Sequence, residues 1–543
     1  MNMSERRGFL LLAIVMLVTA WNSYDFYHPD EHFQILEFGA SKLDIVPTQN
    51  LPWEYEAGIR PWLQPILFAG LCEFLQFIGI DNRFLWAFFF RLFCAAWGFY
   101  AMLLVYRTGA AWLKDETGRR NFLLLCTTLG FLPFLLVRTS SENMSTSFFM
   151  IGIALLLKNY YSPDSEQHSV SPGFWLLSGL MLGLAFQFRY QTIIMTGGFC
   201  LWLLLIARTK WKYFGLFFVG FLLSTGIGLL ADRCGTGKWA FPFFDYFRIN
   251  LLENKTADFG TDPFFAYSYL VMGSVFAPVG FILMVSLLIL WVRNPKHALS
   301  WITLPFFLFH CFIGHKEARF LFPLIPAAIL SLQFIFTQNG QQIPPAFLQT
   351  GFWRGTCKWL WRYNWFWFIA LSVFPFTIDY NINHQKFVYD RRDRVDTYYA
   401  AGFHPYHCKE LIFSLYKPEN LHILEVGNLH TMADIIYDNP TDEIYFFARM
   451  PYLDNWPNDL AHRTTIVNSS HFFFEWSWFV ERVKPILKYI DNRINEVECP
   501  TLFRVASQGK NEREESITNP STGAARVRES VGLHEQEIET GMQ

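Results

Sequence analysis

The chain has 543 residues, of which 52% are hydrophobic, 19% aromatic and 17% charged, and its formal net charge is −2. These proportions exclude an ordinary soluble globular protein, in which about 25% of residues are charged. They also argue against nucleic acid as a partner, because the Lys and Arg residues are scattered in short loops and form no basic block. The composition predicts a polytopic α-helical membrane protein.

Apolar runs long enough to cross roughly 30 Å of hydrocarbon recur along the first 380 residues. We predict about eleven transmembrane helices, the first of which begins with "GFLLLAIVMLVTAW" at Gly8. The run 62–80 contains Pro65, Glu73 and two glutamines, so we interpret it as an interfacial helix on the outer side. The other spans are expected near 85–106, 121–137, 145–158, 173–188, 192–207, 213–231, 269–292, 299–314, 320–337 and 363–379.

Loop charges predict the orientation, because cytoplasmic loops collect Lys and Arg. The start "SERR" places the N-terminus inside. The first loop, the loops 232–267 and 314–319, and everything after the last span then lie on the outer side. The sequence leaves open whether that side is the lumen of the endoplasmic reticulum or the periplasm behind a bacterial inner membrane.

The composition changes after about residue 380. Short β-like runs alternate with a helix-like segment in "LHILEVGNLHTMADIIYDNPTDEIYFFARM" from Leu421. This pattern predicts a transmembrane domain over 1–380 followed by a small soluble α/β domain over 381–507 on the outer side. The tail 508–543 is polar and lacks aromatic residues, so we predict that it is disordered.

The nine cysteines show no spacing typical of a metal site, and no dense carboxylate cluster suggests one. We therefore predict neither a metal nor another cofactor. Cys408 and Cys499 share the polar region near the C-terminus. Whether they form a disulfide stays open, because this depends on the compartment that the region faces.

Two adjacent carboxylates, Asp30 and Glu31, stand in "YHPDEHFQ" directly after the first predicted span. One interpretation is a helix cap, because Asp30 precedes the helix-like stretch "EHFQILEFGASKL". The other is catalysis. A carboxylate at the boundary between water and lipid can have a raised pKa, which suits a general base that takes a proton from a sugar hydroxyl.

A second polar cluster, "HKEARFLFPLIP", stands immediately before a late span and contains His315, Lys316, Glu317 and Arg319. If they lie on a helix, Lys316 and Arg319 are one turn apart, so both could face one anionic group such as a phosphate. Snorkelling at the membrane interface is the alternative for these two cations. It does not explain His315 or Glu317.

Several other polar residues lie in apolar surroundings, where charged groups are costly and are functional candidates by default. The competing interpretation is that such residues only join helices to one another. The predicted topology places three of them, Arg138, Arg189 and Asp232, at outer helix ends. The full set is Arg91, Arg138, Asn143, Arg189 and Asp232.

The order of the motifs resembles that of glycosyltransferase family 22, the mannosyltransferases of the GT-C superfamily that build glycosylphosphatidylinositol anchors and dolichol-linked oligosaccharides. The resemblance spans roughly residues 8 to 337. One departure concerns "RTSSENMST", where Glu142 precedes Asn143, whereas the family usually has a Glu on the next helix. The stretches that carry the resemblance are "HPDEHFQ", "PWEYEAGIRPWLQP", "RTSSENMS", "ADRCGTGKWAFPFFDYFRIN", "FGTDPFFAYSYL" and "HKEARFLFPLIP".

The resemblance implies a GT-C fold and an inverting transfer of mannose from dolichyl- or polyprenyl-phosphate mannose to a glycolipid in the outer leaflet. It implies an α-mannosyl transfer that adds the third or fourth mannose of a glycosylphosphatidylinositol anchor, with dolichol-linked oligosaccharide assembly as the alternative. Asp30, followed by Glu31, is then the expected base. The donor phosphate is assigned to His315, Lys316 and Arg319, and supporting roles to Glu317, Arg138, Arg189 and Asp232.

Two hypotheses from other functional classes compete with the hypothesis that the protein is an enzyme. A lipid or solute transporter would use its charged residues to line a path through the membrane, and it would be expected to show internal repeats. No convincing repeat is found. An inactive scaffold subunit is compatible with the composition, although the presence of both Asp30 and Glu31 argues against it.

Overall fold

The computed structural model describes residues 3–160, 170–272, 277–335, 337–338, 341–342, 351–373, 381–401, 404–408, 411–449, 456–469 and 500–507. The tail 508–543 and Cys499 lie outside these residues, and so does any pairing of Cys499 with Cys408. The chain divides into two compact units, residues 1–378 and 379–543, which we describe separately.

The N-terminal unit is built almost entirely from helices. Its α-helices are α1 (Met3–Asn22), α2 (Pro29–Glu31), α3 (Glu37–Ala40), α4 (Trp53–Ala57), α5 (Leu63–Phe77), α6 (Arg83–Ala111), α7 (Glu116–Thr128), α8 (Leu132–Leu136), α9 (Ser141–Tyr160), α10 (Pro172–Phe188), α11 (Thr192–Leu205), α12 (Trp211–Thr236), α13 (Pro242–Phe247), α14 (Ala266–Met272), α15 (Ala277–Arg293), α16 (Ala298–Phe312), α17 (Ile325–Ile335) and α18 (Gly351–Val373).

Tighter or wider helical turns join some of these elements. They are the π-helical segments His32–Leu36 and Arg248–Leu252, and the 3₁₀ segments Ser41–Leu43, Thr48–Asn50, Lys255–Phe259 and Ala318–Leu324. After α17 come two strands of two residues each, β1 (Thr337–Gln338) and β2 (Gln341–Gln342), which pair in antiparallel orientation.

Among the described residues, three helical segments are each long and apolar enough to cross a membrane: α6, α12 and the continuous segment Ala318–Ile335. The helices α15 and α16 meet the same condition only as a pair, and they are bent by 117°. Shorter apolar helices are α5, α10 and α11. The chain is therefore a largely helical polytopic membrane protein, whereas the number of about eleven crossings stays a prediction.

One of the predicted spans is divided in the structure, and another lies partly outside the described residues. The run 121–137 forms α7 and α8, which are separated at Leu129, and Pro133 in the first turn of α8 has no N–H with which to continue the helix of α7. The run 269–292 contains the end of α14 and most of α15, and residues 273–276 between them lie outside the described residues. An apolar run alone does not distinguish one long helix from two short ones.

Glycines allow α10 and α12 to approach each other closely. A Cβ atom at Gly179 would lie 1.8 Å from the carbonyl oxygen of Phe217, and one at Gly220 would lie 2.0 Å from that of Leu176. Small residues at such contacts are typical of helices that pack within a membrane. The pairing fixes the C-terminal end of α10, where Arg189 is the C-cap residue.

The second unit contains a mixed five-stranded sheet in the order β6-β3-β7-β9-β8. The strand β3 is parallel to β6 and β7, whereas β9 is antiparallel to β7 and β8. This sheet confirms the prediction of a small C-terminal α/β fold, and its position on the outer side stays a prediction. The elements are α19 (Asn381–Asp390), β3 (Thr397–Ala401), β4 (His407–Cys408), β5 (Leu411–Ile412), β6 (His422–Val426), α20 (Leu429–Asp438), β7 (Ile444–Arg449), α21 (Asn458–Ala461), β8 (Thr464–Ser469) and β9 (Pro500–Val505).

Candidate active site

The short helix α2 presents the adjacent carboxylates. His28 is its N-cap residue, and the ring Nδ1 accepts a hydrogen bond from the backbone N–H of Asp30 at 3.3 Å. Pro29 occupies the first turn, where its missing N–H costs nothing. The interpretation of Asp30 as the cap is therefore wrong, because His28 fills that position and leaves the carboxylate of Asp30 available for other partners.

Arg319 is the cation around which the acidic residues gather. Its Nη2 lies 2.8 Å from Oδ2 of Asp30, and its Nη1 lies 3.4 Å from Oε1 of Glu142. Its Nε and Nη2 donate to Glu317 at 2.5 and 3.1 Å. One guanidinium thus contacts three carboxylates from three separate segments, which a single ammonium could not do with the same geometry.

Glu142 is a functional candidate that the sequence reasoning left without a role. It lies in the first turn of α9 and is only 1% exposed, and its Oε1 lies 2.9 Å from Nη1 of Arg189. It therefore connects Arg189 with Arg319 inside the protein. The signal was a charged residue at the start of an apolar helix, "SSENMS", but only the fold shows which cations it faces.

Asp30, Glu142 and Arg189 line an open cavity of about 510 Å³. Its wall is largely polar, because charged, amide and hydroxyl side chains outnumber the apolar ones. Two carboxylates of α2 and two arginines from other segments meet there. The lining residues are Asp30, Glu31, Gln34, Ile35, Arg60, Pro61, Gln64, Pro65, Ser140, Ser141, Glu142, Phe188, Arg189, Tyr190, Gln191 and Tyr246.

Arg60 is a second lining residue that the sequence reasoning did not single out. Its Nη2 lies 3.3 Å from Oε1 of Glu54 and 3.9 Å from Oδ2 of Asp30. Gln34 donates to the same oxygen of Glu54 at 3.0 Å. The quoted stretch "PWEYEAGIRPWLQP" contained both Glu54 and Arg60, but their spacing gave no indication that they pair across a turn.

The two adjacent carboxyls differ in their electrostatic environment. Burial opposes ionisation of Asp30, but the charges of Arg319, His28 and Arg60 outweigh it and hold its pKa well below the usual range. Burial raises the pKa of Glu31 to about 7, against the opposing charge of Arg138. Pairs of carboxyls whose pKa values are pushed apart are typical of acid–base sites.

The raised pKa of Glu31 predicts a pH-dependent stability. Below a pH of about 4.5 the carboxyl is protonated in both the folded and the unfolded chain, so Glu31→Gln changes little. Between about 4.5 and 7 only the unfolded chain releases the proton, so the wild type loses stability relative to the variant. Above that range the difference is constant.

We therefore expect Glu31→Gln to raise the thermal unfolding midpoint in detergent at about pH 8 by more than at about pH 5. The exposed Glu425→Gln is the matched control. An equal difference between Glu31→Gln and the wild type at both pH values would contradict the assignment of a raised pKa to Glu31.

The cations of the "HKEARF" cluster do not share one target. Residues 315–317 form a loop before the 3₁₀ segment that contains Arg319, so the helical spacing predicted for Lys316 and Arg319 is wrong. Lys316 donates to the backbone carbonyls of Asp262 at 3.0 Å and Ile313 at 2.6 Å. His315 pairs with Glu317 at 3.0 Å, and this hydrogen bond raises the pKa of His315. Their roles toward a donor phosphate stay predictions.

Four of the remaining candidates hold backbone segments together. Arg138 donates to the carbonyls of Asp25 at 2.6 Å and Ser23 at 2.8 Å. Asp232 accepts from the backbone N–H of Trp62 at 2.9 Å. None of the four lines the cavity described above, so the structure brings only Arg189 from this set to it. The other two, Arg91 and Asn143, donate to the carbonyls of Ala20 and of Leu136 and Arg138.

Three eukaryotic proteins illustrate the relatives of this chain. It is 26% identical to "Mannosyltransferase APTG1" of Arabidopsis thaliana, over 62% of this chain and 59% of that protein. It is 26% identical to "GPI alpha-1,2-mannosyltransferase 3" of Danio rerio, over 56% and 54% of the two chains. It is also 26% identical to "GPI mannosyltransferase 3" of Yarrowia lipolytica, over 62% and 63%. The matched region spans about three fifths of the length of these relatives.

Two solved structures share a distant likeness. The apo crystal structure of ArnT from Cupriavidus metallidurans has a TM-score of 0.45 and 13% identity, over 85% of this chain and 95% of that one. The apo oligosaccharyltransferase of Archaeoglobus fulgidus has a TM-score of 0.43 and 11% identity, over 81% and 69%.

The strongest assignment comes from the sequence profile of a whole family. The profile of the Alg9-like mannosyltransferase family matches residues 8–394, which is well over half of the chain. The matched region includes the acidic pair of α2, Glu142 and the "HKEARF" cluster. It confirms the resemblance drawn from the sequence motifs, and the chain belongs to the Alg9-like mannosyltransferase family.

Proposed function

We propose that the protein is an inverting mannosyltransferase that moves mannose from dolichyl- or polyprenyl-phosphate mannose to a hydroxyl group of a glycolipid. The observation that carries the proposal is that Asp30 and Glu31 line the cavity and that Asp30 pairs with Arg319 at 2.8 Å. Two carboxyls with different proton affinities supply a base, and the guanidinium supplies a fixed positive charge for a leaving phosphate.

In the proposed step the acceptor hydroxyl gives its proton to Asp30 as its oxygen attacks C1 of mannose. The bond between C1 and the phosphate oxygen breaks on the opposite face, and the lipid phosphate leaves with the electron pair. An anionic leaving group needs charge stabilisation more than it needs a proton. No metal ion is required for this chemistry.

Arg319 connects the proton transfer to Asp30 with the departure of the phosphate. Before the step it pairs with the ionised Asp30 at 2.8 Å. When Asp30 accepts the proton it becomes neutral, and the positive charge of Arg319 is then available to the phosphate oxygen on which negative charge develops. Proton transfer and departure of the phosphate would thus favour each other, with His315 and Lys316 as further candidate phosphate ligands.

The choice between Asp30 and Glu31 as the base rests on two opposing observations. Asp30 is the more accessible carboxyl, because 25% of its side chain is exposed, whereas Glu31 is 3% exposed. The pKa of Glu31 near 7 is closer to the value expected of a general base. We favour Asp30, because a base must reach the hydroxyl from which it takes the proton.

The relatives support a finer proposal for the acceptor. Two of the three compared above are named GPI mannosyltransferases, which favours addition of the third or fourth mannose of a glycosylphosphatidylinositol anchor at the lumenal face of the endoplasmic reticulum. Mannose transfer in dolichol-linked oligosaccharide assembly is the alternative within the family. A bacterial inner membrane with a periplasmic site is the alternative location.

The test supplies radiolabelled polyprenyl-phosphate mannose to membranes with and without the protein, and then identifies the labelled lipid. A glycosylphosphatidylinositol precursor with one more mannose supports the finer proposal, whereas a labelled dolichol-linked oligosaccharide supports the alternative acceptor. Movement of intact donor between leaflets without a new glycosidic bond would indicate a transporter. Failure to label any glycolipid would overturn the proposed function.

A further inference from the structure

His28 bridges two carboxylates of the candidate site. Its Nδ1 lies 3.5 Å from Oδ1 of Asp30, and its Nε2 lies 3.2 Å from Oε2 of Glu317. The ring is not sealed in the protein, because 31% of the side chain is exposed. A titratable side chain with a partly exposed ring therefore contacts the proposed base.

The hydrogen bonds of the ring define its neutral tautomer. The backbone N–H of Asp30 donates to Nδ1 at 3.3 Å, so Nδ1 carries the lone pair. Nε2 then carries the hydrogen and donates it to Glu317. In this state His28 presents a proton acceptor toward the side chain of Asp30.

Glu317 is held as an anion on the far side of the ring. Arg319 donates to both of its oxygens, at 2.5 and 3.1 Å, and His315 lies 3.0 Å away. Burial alone would raise the pKa of Glu317, but these partners hold it below its usual range. A positive charge on His28 would therefore face a carboxylate that stays ionised.

We propose that His28 relays the proton from Asp30 to solvent after each transfer, an inference that rests on the proposed function. The hydrogen bond from the backbone N–H of Asp30 to Nδ1 opens, the O–H bond of the protonated Asp30 side chain breaks and an N–H bond forms at Nδ1, which gives an imidazolium paired with Glu317. The imidazolium then gives that proton to water on its exposed side. Asp30 returns to its ionised form and pairs again with Arg319.

The relay acts through Asp30, so His28 is a positioning residue and not a group that touches the sugar. The ionisable groups around the ring are Asp30, Glu31 and Glu317, and Arg319 pairs with Asp30 and Glu317. The separation of 3.5 Å is long for a hydrogen bond, and such contacts commonly tighten when substrate binds.

The simpler role for His28 is the helix cap alone, and His28→Asn separates the two roles. Asn is among the best N-cap residues, so its side-chain oxygen keeps the bond to the N–H of Asp30, but it cannot carry a proton. We expect kcat to fall on the order of tenfold or more, KM for the donor to stay unchanged, and imidazole added to the medium to restore part of the rate.

His297 provides the matched control. It caps α16 by the same contact, from the N–H of Leu299 to Nδ1 at 3.2 Å, and it does not line the cavity. His297→Asn should leave kcat near that of the wild type and show no response to imidazole. Thermal midpoints of both variants show whether either replacement disturbs the fold.

The outcomes separate the two proposals. No mannose transfer by the wild type would overturn the proposed function and the relay with it. Normal wild-type transfer, together with an unchanged kcat in His28→Asn, would overturn the relay alone. A reduced kcat that imidazole does not relieve would also overturn it, because the loss would then be structural.

Discussion

Asp30→Asn is expected to lower mannose transfer by roughly 10²–10⁴-fold while the protein stays folded. Asn has nearly the same shape as Asp, so its side-chain oxygen still accepts a hydrogen bond from Arg319, and the cap formed by His28 is untouched. The amide of the Asn side chain, however, cannot accept a proton from the acceptor hydroxyl. The measurement is transfer from radiolabelled polyprenyl-phosphate mannose by purified protein, normalised to the folded fraction.

The companion variant Glu31→Gln decides between the two carboxyls. If Asp30 is the base, Glu31→Gln should retain the larger share of the activity. Normal turnover in Asp30→Asn would remove Asp30 from the role of base. If Glu31→Gln were inactive in the same assay, the role would pass to Glu31, whose pKa near 7 suits it.

Arg319→Lys should cost kcat on the order of 10²-fold and raise KM for the donor. The positive charge is retained in Lys, but an ammonium group cannot replace a planar guanidinium whose nitrogens contact Asp30, Glu142 and Glu317 separately. At least one buried carboxylate is left without its partner, which also lowers thermal stability. Transfer kinetics with varied donor concentration and a thermal midpoint test both expectations.

The control for this variant is Arg248→Lys. Arg248 also contacts two acids, Asp245 at 3.1 Å and Glu253 at 2.6 Å, but its side chain is 54% exposed. Exposed ion pairs contribute little to stability, so Arg248→Lys should behave as the wild type. Equal kinetics for Arg319→Lys and the wild type would contradict a role for the guanidinium in the reaction.

Composition and motif order predicted the membrane class, the small C-terminal α/β fold and the family. Apolar runs long enough for a membrane leave few other folds, and the acidic pair and the "HKEARF" cluster are local in sequence. Their partners are not local. Glu142 and Arg60 reach the cavity because helices fold back on one another, and no spacing along the chain encodes that contact.

Lys316 shows why a local pattern can mislead even where the motif is right. The sequence interpretation used a helical spacing for it and Arg319, whereas the chain at 315–317 is a loop. Its ammonium therefore meets the carbonyls of Asp262 and Ile313 and is 5% exposed. The direction of a side chain depends on the backbone that carries it, and this backbone is not helical at Lys316.

The contacts of Arg319 also bear on how the protein is made. Asp30 and Glu142 belong to segments that leave the ribosome early, and Arg319 follows only after α16. Until then Asp30 lacks its nearest cation and Glu142 has only Arg189, so burying both acids would cost free energy. We therefore expect the site to be assembled late in membrane insertion, so a nascent chain that ends before Arg319 would hold its acidic residues hydrated and its first loops unpacked.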